Sequence, residues 1–442
     1  MKTRLRYIWE QLRSTYWFIP MAMLVLGVVL STGSITLDQA LERRGWQLLP
    51  WLYPGGPEEA RALLSTIAGS MINVAGVTFS ITIVTLSLAS SQFGSRLLRN
   101  FMRDAGNQVV LGAFIATFVY AIVVLQTVSG VEGRVFVPQV SVTIGILLAV
   151  LGLVVLVYFI HHVSASIQAE NVIAAVGRDL DDAIERLFPE QGEAPSRGPR
   201  PRLEAAIPSG FGGPGEPVPA AQTGYLQAID LDGLIKFARE RDLVLRVEHR
   251  PGDFVVEQSD LVSVWPADEM GDELVNRVND AFIVGVRRLR LQDVEFAINQ
   301  LVEIAVRALS PGINDPFTAI ACIDRLGASL ARLAERGIPA AHHFDADGQL
   351  RLITDVVTFP GIVDAAFNQI RQDGRSSAAV TIRLLESIAL IAAYARNEDQ
   401  RAALRNQAGM IWRSSEAARP EERDREDVKK RDERVLRTLA RA

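Results

Sequence analysis

Long apolar runs fill the first third of the chain and stop near Ile160. A helix that crosses a bilayer needs about 20 mostly apolar residues, because each adds about 1.5 Å across a hydrocarbon core of about 30 Å. Four stretches reach that length, at about 16–35, 64–89, 109–128 and 140–160. The first is too long for a signal peptide's apolar region, and no small-residue cleavage site followed by a soluble domain is evident. Pro20 falls near its start, where a first turn tolerates proline.

Beyond Ser164 the apolar residues thin out to the stripes of amphipathic segments. Residues 164–188 read as a helix extending the fourth span. Residues 189–223, rich in Pro and Gly from Pro195 to Gly215, read as a flexible linker. In 224–266, strands at 225–229, 243–247 and 261–265 surround a short helix at 231–241, which predicts a small β-rich module. Over 267–412 the pattern is helical. Val294, Ala297, Ile298, Leu301, Val302, Ala305 and Leu309 form one stripe. The turn that follows has Asp315 placed as the N-cap of the next helix and Pro316 at its first position. The tail, 413–442, alternates acids with Arg and Lys and reads as a solvated helix or disordered segment. The expected fold is mainly α: a four-helix transmembrane domain (1–163), then a cytoplasmic α+β domain made of the β-rich module and a helical bundle.

Charge orients the chain. Lys2, Arg4, Arg6 and Arg13 precede the first span, and Arg96, Arg99 and Arg103 follow the second. Positive flanks stay on the cytoplasmic side, so both termini are expected there, in a bacterial inner membrane. The first outer loop dilutes Arg43, Arg44 and Arg61 with Asp38, Glu42, Glu58 and Glu59. The lone cysteine, Cys322, permits no intramolecular disulfide and reads as a small buried apolar residue. The net charge of −5 averages two unlike parts, and no nucleic-acid partner is expected.

The second span departs from a plain anchor. Thr66, Ser70, Asn73, Ser80, Ser87 and Ser91 recur at steps of three or four, with Val77 and Val84 between them, and share one helix face. Two readings stay open. Such a stripe packs membrane helices together, or it lines a water-filled or ion path around an axis between subunits. Asn73 is its sharpest member, because a buried amide in lipid needs a polar partner. Arg96, Arg99 and Arg103 continue that helix, as inner-mouth groups or as lipid-headgroup contacts.

Known catalytic signatures are missing from the sequence: no nucleophile–base set, phosphate loop, dinucleotide fingerprint or metal motif is found. An enzyme is therefore not expected, nor a cofactor or metal. His161 and His162 read as interfacial packing. His342 and His343, near Asp345 and Asp347 in a polar loop, are the residual metal candidate.

The run GSMINVAGVTFSITIVTLSLASSQFGSRLLRNF, residues 69–101, resembles a bacterial family of membrane proteins of unknown function, the DUF2254 family. The run RLQDVEFAINQLVEIAVRALSPGINDPFTA, residues 290–319, is similar to that family's second signature. The resemblance implies four spans followed by a cytosolic domain and brings no catalytic residues. It draws attention to Arg290, Gln292, Asp293, Gln300, Arg307, Asn314 and Asp315, as a polar corner that binds a small anion or partner helix, or as caps and salt bridges that fix a helical turn. Two functions follow as expectations. One is a homo-oligomeric channel lined by the second span, passing an ion or small ligand. The other is a non-conducting sensor or scaffold whose helical domain binds a partner.

Overall fold

The computed structural model describes residues 17–44, 52–94, 104–131, 134–190, 215–266, 271–416, 418 and 421–441. The chain is mainly α and divides into two compact units, 1–171 and 172–442.

The N-terminal unit holds four helices long and apolar enough to cross a membrane: α1 (Phe18–Arg43), α2 (Pro57–Phe93), α3 (Ala105–Thr127) and α4 (Gln139–Ser166). Each outruns its apolar stretch. α2 gains its first turns from the cap Gly56, whose N–H donates to Glu59, with Pro57 at the first helical position. A short hairpin, β1 (Ser129–Val131) and β2 (Arg134–Phe136), joins α3 to α4.

Glycine sets the helix crossings. A Cβ on Gly27 of α1 would lie 2.7 Å from the Ala116 carbonyl oxygen of α3, so the two backbones touch. Gly145 and Gly152, one above the other on α4, receive Leu64 and Met71 of α2. Phe114, Tyr120, Val142 and Phe159 complete the buried core. The outward faces of α1 and α4 are apolar, with Leu26, Val29, Leu147, Leu151 and Val154 exposed. That suits a surface in contact with acyl chains.

The helix α5 (Ala169–Leu187) enters the C-terminal unit at residue 172, and that unit contains two sheets and a helical bundle. Its strands are β3 (Glu216–Pro219), β4 (Gly224–Ile229), β5 (Val244–Val247), β6 (Phe254–Val255), β7 (Asp260–Trp265), β8 (Phe282–Gly285), β9 (His342–Phe344) and β10 (Leu350–Ile353). One sheet has the order β3-β7-β5-β10-β9 and the other β6-β4-β8. Two helices pack with them, α6 (Leu231–Glu240) and α7 (Asp272–Asn279), burying Leu234, Phe237, Leu274 and Val278. The bundle comprises α8 (Val294–Ala308), α9 (Pro316–Ala334), α10 (Phe359–Gly374), α11 (Ala378–Ala392), α12 (Glu398–Glu416) and α13 (Glu422–Arg441).

Three boundaries differ from the sequence reading. A strand starts at Glu216, inside the 189–223 linker, because Val218 is buried against β7 despite the flanking prolines. The sheets do not stop at 266: β8 pairs with β4, and β10 pairs in parallel with β5, so the module closes with strands from the 267–412 segment. The charged tail is also no loose appendage. α13 buries Val428, Val435 and Leu439, one stripe at helical spacing beneath a charged exterior.

Candidate functional site

α2 has two faces. Leu64, Ala68, Met71, Ala75, Thr78, Thr82 and Ala89 turn into the bundle. Thr66, Ser70, Asn73, Ser80, Ser87 and Ser91 are all exposed, on the opposite side. The stripe therefore does not pack this protomer's own helices together, and that half of the packing reading is corrected. Cβ atoms built on Gly69 and Gly76 of this outer side meet nothing within 4 Å. The stripe is flanked by exposed Ile72, Phe79 and Ile83.

Several hydroxyls on the stripe are quieted locally. Thr66 donates to the Ala62 carbonyl at 2.8 Å, Ser80 to Gly76 at 2.9 Å and Ser91 to Leu88 at 2.8 Å. Such bonds to the preceding turn satisfy the donor and leave acceptor capacity outward. Asn73 has no such outlet, and its amide bonds to no described residue. Arg96, Arg99 and Arg103 lie outside the described residues.

Polar bonding inside the bundle comes from other helices. The Tyr120 hydroxyl lies 3.0 Å from Ser34 Oγ and donates to the Ser141 carbonyl at 2.9 Å. Ser141 Oγ donates to Asp38 at 2.6 Å. Ser31, Ser34 and Asp38 are buried at helical spacing on α1, a stripe the sequence reading passed over because Asp38 was placed in the outer loop. At the far end of the unit, His162 Nε2 lies 2.6 Å from Asp104 Oδ2, and Oδ1 caps α3 through Gly106 N–H. His162 is thus tied to a carboxylate as well as packed.

The second signature does not converge on one corner. Arg290, Gln292 and Asp293 stand before α8, while Arg307, Asn314 and Asp315 stand at its end. The helix has 15 residues, about 22 Å at 1.5 Å per residue. At the first end, Arg290 pairs with Asp179 of α5 at 2.6 Å. The Gln292 amide bonds both backbone groups of Ile229, at 2.8 and 3.1 Å, as a strand would. Asp293 caps α8 through Phe296 N–H and accepts from Arg288 at 2.8 Å. Burial pushes its carboxyl above the usual carboxylate range, against the pull of Arg288. Gln300 is buried mid-helix. At the second end, Asn314 takes a left-handed φ of 50°. Asp315 caps α9 through Phe317 and Thr318, and the Thr318 hydroxyl bond holds its carboxyl low. These are the caps and salt bridges of the structural alternative. Arg250, Arg288 and Glu295 belong to the same network, with Arg250 donating to Glu295 at 2.9 Å. Sequence reasoning missed them because Arg250 arrives from a turn far along the chain.

Beside that network lies a cavity of about 220 Å3 within the C-terminal unit. Its walls are mostly apolar, with Ile229, Val294 and Val356, and its polar members include His249, Gln292, His343 and Thr354. His343 Nε2 lies 3.1 Å from the Thr354 hydroxyl. Burial, helped by His342, lowers the His343 pKa, so the ring enters the cavity wall neutral. The four residues of the metal candidate do not gather. His342 and His343 are neighbours on β9 and point to opposite sides. Asp345 is taken by Arg351 at 2.7 Å and Asp347 by Arg239 at 3.0 Å. Among the described residues no group of three or more His, Cys, Asp or Glu is placed to hold a metal. Cys322 is fully buried, and burial pushes its thiol far up.

Comparison with known proteins groups the chain with predicted membrane proteins. The model of the family described as predicted membrane protein, DUF2254, matches residues 13–389. An uncharacterised protein of Mycobacterium tuberculosis is 31% identical over 438 residues, spanning 96% of this chain and 81% of the relative. An uncharacterised protein of Mycobacterium bovis is 30% identical over the same length and coverage. No solved structure matches the chain significantly. The chain belongs to the DUF2254 family.

Proposed function

We propose that this member of the DUF2254 family is a homo-oligomeric, pore-like protein of a bacterial inner membrane. In it the α2 helices of several copies face a common path, and the C-terminal unit sits on the cytoplasmic side without enzymatic activity. The observation that carries the reading is the direction of the α2 stripe. Asn73 lies near the middle of an apolar span, exposed, and without a bond to any described residue. An amide facing acyl chains costs several kcal/mol. Water in a path, or the same residue in a second copy, removes that cost. The open glycines Gly69 and Gly76 supply the close approach that neighbouring α2 helices need.

Single-channel recording of purified protein in planar bilayers tests the path. Currents that shrink or change selectivity in Asn73→Leu and Ser80→Leu support it. Currents indifferent to both changes, or no current at all from folded oligomer, count against it. A second reading rests on the cavity lined by His343: a non-conducting sensor that takes a small, largely apolar ligand and relays it to a partner. Saturable ligand binding that His343→Leu abolishes, in a protein that passes no current, would favour that reading.

A further inference from the structure

Hydrogen bonds within the C-terminal unit fix the walls of the cavity lined by His343. Phe188, just past α5, is held through its carbonyl, which accepts from Arg336 at 2.7 Å. Ile229, at the end of β4, is held by both ends of the Gln292 amide. Thr354, just past β10, donates its N–H to the Ala341 carbonyl at 2.8 Å. Pro251 and Pro339, rigid by their rings, complete the enclosure. A preformed, mostly apolar space with a few fixed polar groups is the usual form of a small-molecule site.

The polar groups on those walls divide into spent and spare. Arg250 donates to Glu295 at 2.9 Å and stands 4.0 Å from Asp253. Gln292 has given an oxygen and an N–H to Ile229. The Thr354 hydroxyl lies 3.4 Å from the Ala341 carbonyl, which already accepts the Thr354 N–H, and 3.1 Å from His343 Nε2. The closer partner takes the hydroxyl proton. Nε2 is then the accepting nitrogen, and Nδ1 carries the proton of the neutral ring. Nδ1 bonds to no described residue. The spare group is therefore a donor, and it calls for an acceptor.

Charge narrows the choice. Two guanidiniums, Arg250 and Arg288, are matched against three carboxylates, Asp253, Asp293 and Glu295. Asp355, exposed on the cavity wall, adds another negative charge. An anion would have to take Arg250 from Glu295 and leave that carboxylate without its partner. An ammonium brings donors only and cannot answer an N–H. A neutral acceptor meets neither obstacle. Size follows from packing. A dry cavity of about 150 Å3 holds a benzene ring, so about 220 Å3 admits about nine non-hydrogen atoms.

We infer that the cavity binds a neutral, mainly apolar molecule of about nine non-hydrogen atoms that presents one hydrogen-bond acceptor, such as a carbonyl oxygen, to His343 Nδ1. This ligand class rests on the cavity of the sensor reading and is indifferent to whether the protein conducts.

Calorimetric titration of full-length protein in detergent, with empty micelles as the blank, tests this with three probes. Acetophenone, α-methylstyrene and benzoate have the same number of non-hydrogen atoms. The second replaces the carbonyl oxygen by a methylene, and the third carries a charge. Acetophenone should bind saturably, α-methylstyrene several-fold more weakly, and benzoate about a hundredfold more weakly or worse. In His343→Leu acetophenone should bind no better than α-methylstyrene. Val356→Trp fills the cavity and should remove saturable binding of every probe. Ala340→Trp, at an exposed wall position, does the same should Val356→Trp fold poorly. Equal binding of acetophenone and α-methylstyrene, lost on adding tryptophan, overturns the acceptor contact and leaves an apolar-ligand sensor standing. Benzoate binding as tight as acetophenone overturns the neutral class. No saturable binding of any probe, or binding that survives both tryptophan variants, overturns the ligand and the sensor reading together.

Discussion

Asp38 Oδ2 accepts both the backbone N–H and the hydroxyl of Ser141, at 2.9 and 2.6 Å, while Oδ1 accepts the Val140 N–H at 2.9 Å. α4 begins after Pro138, which offers no side-chain cap. A carboxylate from α1 thus supplies the cap, and its charge faces the positive end of the α4 dipole.

Replacing Asp38 by Ala should strand these donors in a buried site. Each unsatisfied buried group costs about 1–3 kcal/mol, so the melting temperature of the detergent-purified protein should fall by several degrees or more. Asp38→Asn keeps one acceptor oxygen and should lose less. An alanine variant that melts with the wild type would show that Asp38 does not hold α1 to α4.

Gly27 and Gly33 lie on the same helix and should respond with opposite sign. Ala at 27 must push against Ala116 backbone, which cannot swing aside, and overpacking of this kind costs about 1–3 kcal/mol. Ala at 33 meets nothing within 4 Å and should gain about 0.4–1 kcal/mol through the unfolded chain. Thermal melts of the two variants, run side by side, check the sign.

The four spans were legible because length and hydropathy alone specify a membrane helix. Which way α2 turns its polar face was not, because Ser and Thr stripes suit a helix contact and a water path equally. Thr78, Thr82 and Thr85 point inward while Thr66 and Ser80 point outward, and only the glycine crossings of α2 with α4 decide between them. Asp38 was hidden by the arginines beside it in sequence, although Ser31, Ser34 and Asp38 share a face. β10 was hidden for another reason. Leu350–Ile353 is short, and its parallel partner β5 lies far back in the chain, so no local turn signal announces the pairing. The second signature was legible as caps and ion pairs, whereas the cavity beside it joins segments whose proximity no spacing reveals.

His343 should impose an acid limit on the C-terminal unit. Its pKa is lowered from 6.5, by burial first and His342 second, with Asp232 opposing. Below pH 6.5 the unfolded chain therefore takes up the proton more readily than the folded one. Stability is complete above that value and declines as the pH falls through the lowered folded pKa. Melting curves of the full-length protein between pH 7.5 and 5 should show this decline, and His343→Gln, which can still bond Thr354, should flatten it. An unchanged slope in the variant would assign the acid limb to another group.

The last helix offers a test of whether the charged tail belongs to the bundle. Val435 is fully buried and Leu436, its neighbour, is 45% exposed. Arg431 of α13 lies 3.4 Å from Glu386 of α11, which also pairs with Arg383. Val435→Asp buries a charge without a partner and should destabilise the unit by several kcal/mol, whereas Leu436→Asp should shift it by no more than about 0.5 kcal/mol. Asp432 adds a change of opposite sign. Burial, with Glu433, raises its pKa, so the ionised form works against folding near neutral pH. Asp432→Asn should raise the melting temperature at pH 7, and that gain should vanish as the pH falls into the carboxylate range, where Asp432 itself becomes neutral. Proteolysis reads the same contact directly. Wild type and Leu436→Asp should resist cleavage after Lys429 and Lys430, and Val435→Asp should be cut there first. Equal cleavage in all three would mean that α13 does not pack on α11.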